Sequence, residues 1–323
     1  MNKPIAIIAG EPNSISSEII FKSWKYKKQY RHKPMFIIGS IKLLSSQMKK
    51  LKYKIKIKKI NKNFIIKDLN GMALPVYDIN YVQKKPFDKI SIKSNKYIFK
   101  CFSEALNFVN KKKISGFINC PVSKETLFKN KHQGITEYLA NKCNKKNDVV
   151  MLIYNKKLSV VPLTTHVPIN QVTSKIRKMK IVKKIKVVNN FYNNFLNKKP
   201  NFAILGLNPH NYFSSYKSKE KTNIENNIKI LKKLKINIKG PFAADTSFVI
   251  SKKNKFDVII GMYHDQVLSP FKTIFNFNAI NITLGLPFIR VSPDHGVGKD
   301  ITGKKIANPN SLIESIKFFN SIK

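Results

Sequence analysis

Short apolar runs alternate with longer stretches of helical periodicity from one end of the chain to the other, and this alternation constrains the fold more than any other feature. Eight runs carry it: "PIAIIAG" (4–10), "PMFIIG" (34–39), "GFINCP" (116–121), "VVMLIY" (149–154), "SVVPLTT" (159–165), "NFAILGL" (201–207), "DVIIGM" (257–262) and "AINITLG" (279–285). Strands joined through helices build a largely parallel sheet, so the expected class is α/β. A chain of 323 residues suggests two lobes of ordinary size. The lysine-rich stretch 49–68 keeps enough isoleucine for a strand or two. Thr222 with Glu225, and Ser311 with Glu314, have the spacing of capping boxes at helix starts.

Charge comes next, because 61 Lys and Arg against 17 Asp and Glu give a net charge of +44. Such an excess suits a nucleic-acid binder. Here, however, lysine is spread along the whole chain and arrives with excess Ile, Asn and Phe, which reads as a compositional habit; specific nucleic-acid binding is not expected. The stretch "KIRKMKIVKKIKVVNNFYNNF" (175–195) is the strongest counter-example. Its Ile181, Ile185, Val188, Tyr192 and Phe195 recur at helical spacing, so a core-packed stripe with solvated lysines is the expectation. Cys101, Cys120 and Cys143 are odd in number and lack CxxC spacing, which points to reduced thiols in a cytoplasmic protein. No run approaches the ~20 apolar residues that span a bilayer, and the N-terminal run is too short for a signal peptide.

The chemistry gathers at histidines. Of six in the chain, His166, His210 and His264 each close or just pass an apolar run. Ligands of open α/β sheets bind outside the carboxyl ends of the strands. Spacings of 44 and 54 residues do not suit a zinc finger but do suit a catalytic divalent metal held by three imidazoles. Asp265 follows His264 directly and Asp245 lies in "GPFAADTSF"; either could orient a ligand histidine, join the metal or accept a proton. Lys272, Asn281 and Arg290 bring cation, amide and guanidinium, a set suited to a small anionic substrate. No GxGxxG occurs, so a Rossmann glycine fingerprint is absent.

At these residues the sequence resembles the 4-hydroxythreonine-4-phosphate dehydrogenase family. The likeness runs through "AGEPNSISSE", "NCPVSK", "GITEYLA", "TTHVP", "LGLNPH", "GPFAADTSF", "MYHDQVLSPFK" and "NITLGLPFIRVSPDHG". The resemblance implies a two-lobed fold similar to isocitrate and isopropylmalate dehydrogenases, with 1–126 and 301–323 in one lobe and 127–300 in the other. It implies that His166, His210 and His264 bind one divalent ion (zinc, magnesium or cobalt), that Thr136, Lys272, Asn281 and Arg290 contact a small phosphorylated substrate, and that NAD or NADP is the oxidant. It also implies a homodimer with the site completed at the subunit interface. The implied reaction oxidises 4-phosphooxy-L-threonine to a β-keto acid that decarboxylates to 3-amino-2-oxopropyl phosphate, in pyridoxal 5'-phosphate (vitamin B6) biosynthesis. A sibling dehydrogenase of 4-phospho-threonate or 4-phospho-erythronate is the nearest alternative.

Two departures stand out. The family has a histidine where this chain has Ile135, which removes one substrate contact or leaves Thr136 and a neighbour to compensate. The turn after the first strand reads "GEPNSISSE", and Asn13, Ser14 and Ser16 are expected to restrict backbone angles that a tight glycine turn would use.

Overall fold

The computed structural model describes residues 3–29, 33–129, 134–146, 148–209 and 218–322. Among them the strands are β1 (Ile5–Ile8), β2 (Met35–Gly39), β3 (Ile57–Ile60), β4 (Leu74–Asp78), β5 (Gly116–Asn119), β6 (Val150–Tyr154), β7 (Ser159–Pro162), β8 (Phe202–Leu205), β9 (Ile238–Phe242), β10 (Val258–Gly261), β11 (Ile280–Leu284) and β12 (Ile289–Pro293). The helices are α1 (Ser16–Lys25), α2 (Ile41–Lys50), α3 (Asn95–Asn110), α4 (Lys124–Phe128), α5 (Ile135–Lys142), α6 (Ile169–Lys178), α7 (Ile181–Leu196), α8 (Lys219–Lys233), α9 (Ala244–Asn254), α10 (His264–Phe275) and α11 (Asn310–Ser321). All eight apolar runs form strands, and the lysine-rich stretch supplies β3. None of the described helices is long and apolar enough to cross a membrane.

The chain divides into two units, Met1–Ile135 with Pro287–Ile322, and Thr136–Leu286. The seams differ from those expected at 126/127 and 300/301. Arg290, expected in the second lobe, lies in the first unit because β12 pairs parallel with β5, Arg290 opposite Phe117. In the first unit the strand order is β3-β4-β2-β1-β5-β12, with every pairing parallel. The core strands β1, β2 and β5 are buried on both faces, as parallel sheets covered by helices require.

The turn after β1 departs from the expectation of a strained backbone. Within it only Gly10 has a positive φ, +78°, and a Cβ there would lie 2.5 Å from the Pro121 carbonyl. Asn13, Ser14 and Ser16 need no left-handed angles, and their side chains hold the turn instead. Ser14 Oγ donates to the Glu11 carbonyl at 2.6 Å and lies 2.8 Å from Ser16 Oγ, which reaches the Pro121 carbonyl at 3.3 Å. Asn13 pins the following loop by accepting from Gln83 Nε2 and Asp88 N and donating to the Lys89 carbonyl. Short polar side chains favour such local bonds, so they replace glycine freedom with hydrogen bonding.

In the second unit the order is β11-β6-β7-β10-β8-β9. β7, β10, β8 and β9 run parallel, while β6 is antiparallel to both β7 and β11. The basic stretch 175–195 is broken at Met179–Lys180 into the end of α6 and α7. Ile181, Ile185, Val188 and Tyr192 are buried along α7, as the stripe required, and Phe195 is half-buried. Neither expected capping box forms. Ser218 caps α8, accepting from Lys221 N at 3.2 Å, so Thr222 sits inside the helix. In α11 the preceding residue is Pro309, and Ser311 Oγ instead accepts from Asp294 N at 2.8 Å.

Candidate active site

Three strands of the second unit end side by side although the chain visits them out of order. β10 lies between β7 and β8, so the loops that follow these strands emerge next to each other at their carboxyl ends. The ends are tied together: Leu163 N donates to the Gly261 carbonyl at 2.8 Å, and both Thr164 N and Thr164 Oγ1 donate to the Met262 carbonyl. His166 follows β7 and His264 follows β10. Their rings come within 6.1 Å, centroid to centroid, at an interplanar angle of 33°. His210, predicted beyond β8, lies outside the described residues.

The first residue of α10 is His264. Tyr263 at the N-cap is extended, and the turn into the helix is unusually close because Gly261 has no side chain: a Cβ would lie 2.5 Å from Val267 Cγ1. Val267, Leu268 and Phe271 then anchor α10 in a core with Val160, Ala203, Leu205 and Ile259. Each such side chain fully buried contributes about 1.5–3 kcal/mol. Gln266 locks the junction, accepting from Met262 N at 2.7 Å and donating to the Gly206 carbonyl, just past β8, at 2.8 Å. One side chain thereby joins the ends of β10 and β8. Sequence reasoning missed Gln266; its position four residues after Met262, within one helical turn of the strand end, was the signal.

His264 Nδ1 lies 2.6 Å from Asp265 Oδ1. This bond fixes the ring, so Nε2 is the nitrogen left to face a ligand. Neutral imidazole is a common ligand of divalent ions, and His166 and His264 are two imidazoles that the strand order brings near each other. Among the described residues no group of three or more His, Cys, Asp or Glu comes together as a cation site.

The remaining candidates fall into two sets. In the second unit Asp245 stands exposed in the first turn of α9, its Oδ1 accepting from Thr246 N at 2.9 Å. Lys272 lies seven residues after Asp265 on α10, so both share one side of the helix, roughly 10 Å apart along its axis. Thr136 lies in the first turn of α5 and places Oγ1 3.2 Å from Thr283 Oγ1 on β11. Asn281, on the same strand, has a buried Oδ1 with no hydrogen-bond partner. In the first unit Arg290 is 4% exposed and donates through Nε to Asn119 Oδ1 at 2.7 Å. Thr283 and Asn119, which hold Thr136 and Arg290, were not foreseen, since a lone Thr or Asn in an apolar strand carries no pattern. Ile135, in place of the family histidine, is buried.

The cysteines take no part. Cys101 and Cys120 are buried free thiols, and burial raises both, Cys101 to about 12. Neither is a nucleophile at neutral pH.

With this geometry in view, comparison with known proteins is informative. The family model described as "Pyridoxal phosphate biosynthetic protein PdxA" matches residues 31–319. A 4-hydroxythreonine-4-phosphate dehydrogenase from Sulfurihydrogenibium sp. (strain YO3AOP1) is 38% identical, with 97% of this chain and 96% of that protein covered. A relative from Oceanobacillus iheyensis, named provisionally as a D-threonate 4-phosphate dehydrogenase, is 31% identical over 97% of this chain and 96% of its own length. The crystal structure of 4-hydroxythreonine-4-phosphate dehydrogenase from Klebsiella pneumoniae superposes with a TM-score of 0.84 at 25% identity, covering 99% of this chain and 97% of that one. The chain belongs to the PdxA family of pyridoxal phosphate biosynthetic proteins.

Proposed function

We propose that this protein is an NAD(P)-dependent, divalent-metal-assisted dehydrogenase that oxidises 4-phosphooxy-L-threonine at C3, in pyridoxal 5'-phosphate (vitamin B6) biosynthesis. The observation that carries the reading is the apposition of His166 and His264 at neighbouring strand ends, in a chain whose relatives bear this enzyme's name. His166 and His264, with His210, would hold the ion (zinc, magnesium or cobalt). When bound, the metal supplies Lewis acidity to the substrate hydroxyl and the nicotinamide accepts hydride.

The chain's own groups bind, orient and move the proton. Asp265, held on His264 Nδ1, positions that ring. Asp245, exposed in the first turn of α9, accepts the hydroxyl proton. Lys272 and Arg290 hold the anionic ends of the substrate, and Thr136 and Asn281 add polar contacts. The orphaned Asn281 Oδ1 supports a ligand-facing role, because a buried acceptor is seldom left unpaired. The β-keto acid product then decarboxylates to 3-amino-2-oxopropyl phosphate.

The protein works as a homodimer whose site is completed at the subunit interface. Support comes from large apolar side chains left exposed on α9 and α10 or just beyond: Val249 (76%), Ile274 (45%) and Phe277 (48%). The free thiols support a reducing, cytoplasmic setting. The test is NAD(P) reduction by purified protein with 4-phosphooxy-L-threonine or 4-phospho-threonate. The expected result is turnover of the former, removed by chelator; Asp245→Asn lowers kcat on the order of 100-fold or more with metal retained. Preference for 4-phospho-threonate would reassign the protein to the sibling reaction, and no turnover of either compound would refute the reading.

A further inference from the structure

Six of the ten residues 177–186 are basic, against 61 of 323 in the whole chain, so the excess that is diffuse elsewhere is concentrated here. The break at Met179–Lys180 turns this stretch through a corner, and α8 pins the corner. Asn227 Oδ1 accepts from Val182 N at 3.0 Å, and Asn223 Nδ2 donates to the Ile176 and Met179 carbonyls at 2.8 and 3.1 Å. An open groove of about 730 Å³ runs between α7, α8 and the end of α6. Arg177, Lys178, Lys180, Lys183 and Lys186 line it, and none of its lining residues is acidic. Arg177 and Lys183 are paired with Glu220 and Asp148. Lys178, Lys180 and Lys186 are exposed and enter no ion pair among the described residues. Between the cations the lining is aliphatic: Met179, Val182, Val187 and Ile230, the last 47% exposed. Four residues on, at the C-cap of α8, Leu234 is 49% exposed on the same side of the helix.

These two kinds of lining together select the occupant. Cations alone would suit any polyanion, nucleic acid included. Single-stranded nucleic acid, however, is held through aromatic side chains on which bases stack, and no aromatic residue lines this groove. Aliphatic side chains match the leucines or isoleucines of a protein segment, and a groove of this kind takes an amphipathic helix lengthwise. The same groove on a second copy of this chain repeats the cations and is repelled. We propose that the groove docks an acidic amphipathic helix of another protein, its apolar face on Val182, Val187 and Ile230 and its flanking Asp and Glu on Lys178, Lys180 and Lys186. None of the lining residues belongs to the candidate active site, so the proposal stands apart from the dehydrogenase reading.

The test is fluorescence anisotropy on the full-length protein at physiological salt. The probe is a labelled peptide of about five helical turns, Glu throughout except for Leu at helical spacing. An all-Glu peptide and a single-stranded oligonucleotide, both of equal charge, are the comparisons. The Leu/Glu peptide should bind on the order of 10-fold tighter than either. Lys180→Glu with Lys186→Glu should weaken it on the order of 10-fold, while Lys59→Glu with Lys62→Glu, at exposed positions of the first unit, lowers net charge equally and should change it by less than about 2-fold. Ile230→Ser should weaken the Leu/Glu peptide roughly 10-fold and leave the all-Glu peptide unchanged. Circular dichroism checks each fold, and the charge and apolar variants test separate halves, so either decides should the other not fold. No binding by the unaltered chain, equal binding of all three ligands, equal loss in the first-unit variant, or indifference to Ile230→Ser overturns the proposal and leaves the lysines as a solvated face.

Discussion

Glu11 lies early in the turn that follows β1, with 1% of its surface exposed, and its protonation follows from that burial. Desolvation raises its carboxyl above the usual range, opposed by hydrogen bonds from Asn13 N and Ser94 Oγ to Oε1, while Oε2 has no partner. The folded protein thus keeps this proton to a higher pH than the unfolded chain does. Its contribution to stability is fully present below the unfolded pKa and is lost as pH rises through the folded one. Glu11→Gln should therefore be more stable than the unaltered chain at neutral pH and nearly equal to it below about pH 4, where an ordinary carboxylate is itself protonated. Urea denaturation at the two pH values checks this; a variant no more stable at neutral pH would contradict it. Nothing in the letters "GEPN" announces the effect, because burial of one carboxyl depends on the loop that Asn13 holds. The same limit explains the serines, whose hydrogen bonds made glycines unnecessary in a turn that looked strained.

Elements were legible where the apolar run was unbroken. β4 ("LPVYD"), β9 ("IKGPF") and β12 ("IRVSP") lacked such runs, each carrying proline and a charged residue, and they form because neighbouring strands supply pairing partners. The caps failed for a related reason. Ser218 and Thr222 both have capping chemistry, and only packing decides which of them starts α8. The start of α10 matters most for function, since it carries His264 and Asp265. Gly261 lets that turn approach β10, so Gly261→Ala should cost about 1–3 kcal/mol by overpacking Val267, with a weaker hold on metal as His264 is displaced. Melting and metal-binding measurements on this variant check the pair of effects; unchanged stability would mean that the junction is not tight.

Across the molecule, the histidine arrangement was partly readable. Apolar runs led to the expectation that His166, His210 and His264 lie at or just past strand ends, but spacing along the chain says nothing of which strands are neighbours. Topology supplies that: β10 inserts between β7 and β8, so segments far apart in sequence finish side by side. The pairing of Arg290 with the first unit was equally invisible, since it depends on β12 joining β5. The net charge of +44, by contrast, decides little about the fold. The central claim is that these strand ends share one divalent ion. It is tested most directly by metal content after equilibrium dialysis of the purified protein and of folded His166→Ala, His210→Ala and His264→Ala variants. The account predicts one tightly held ion per chain in the unaltered protein and loss of it in each variant; full retention in any of the three, or no bound ion in the unaltered protein, would contradict it.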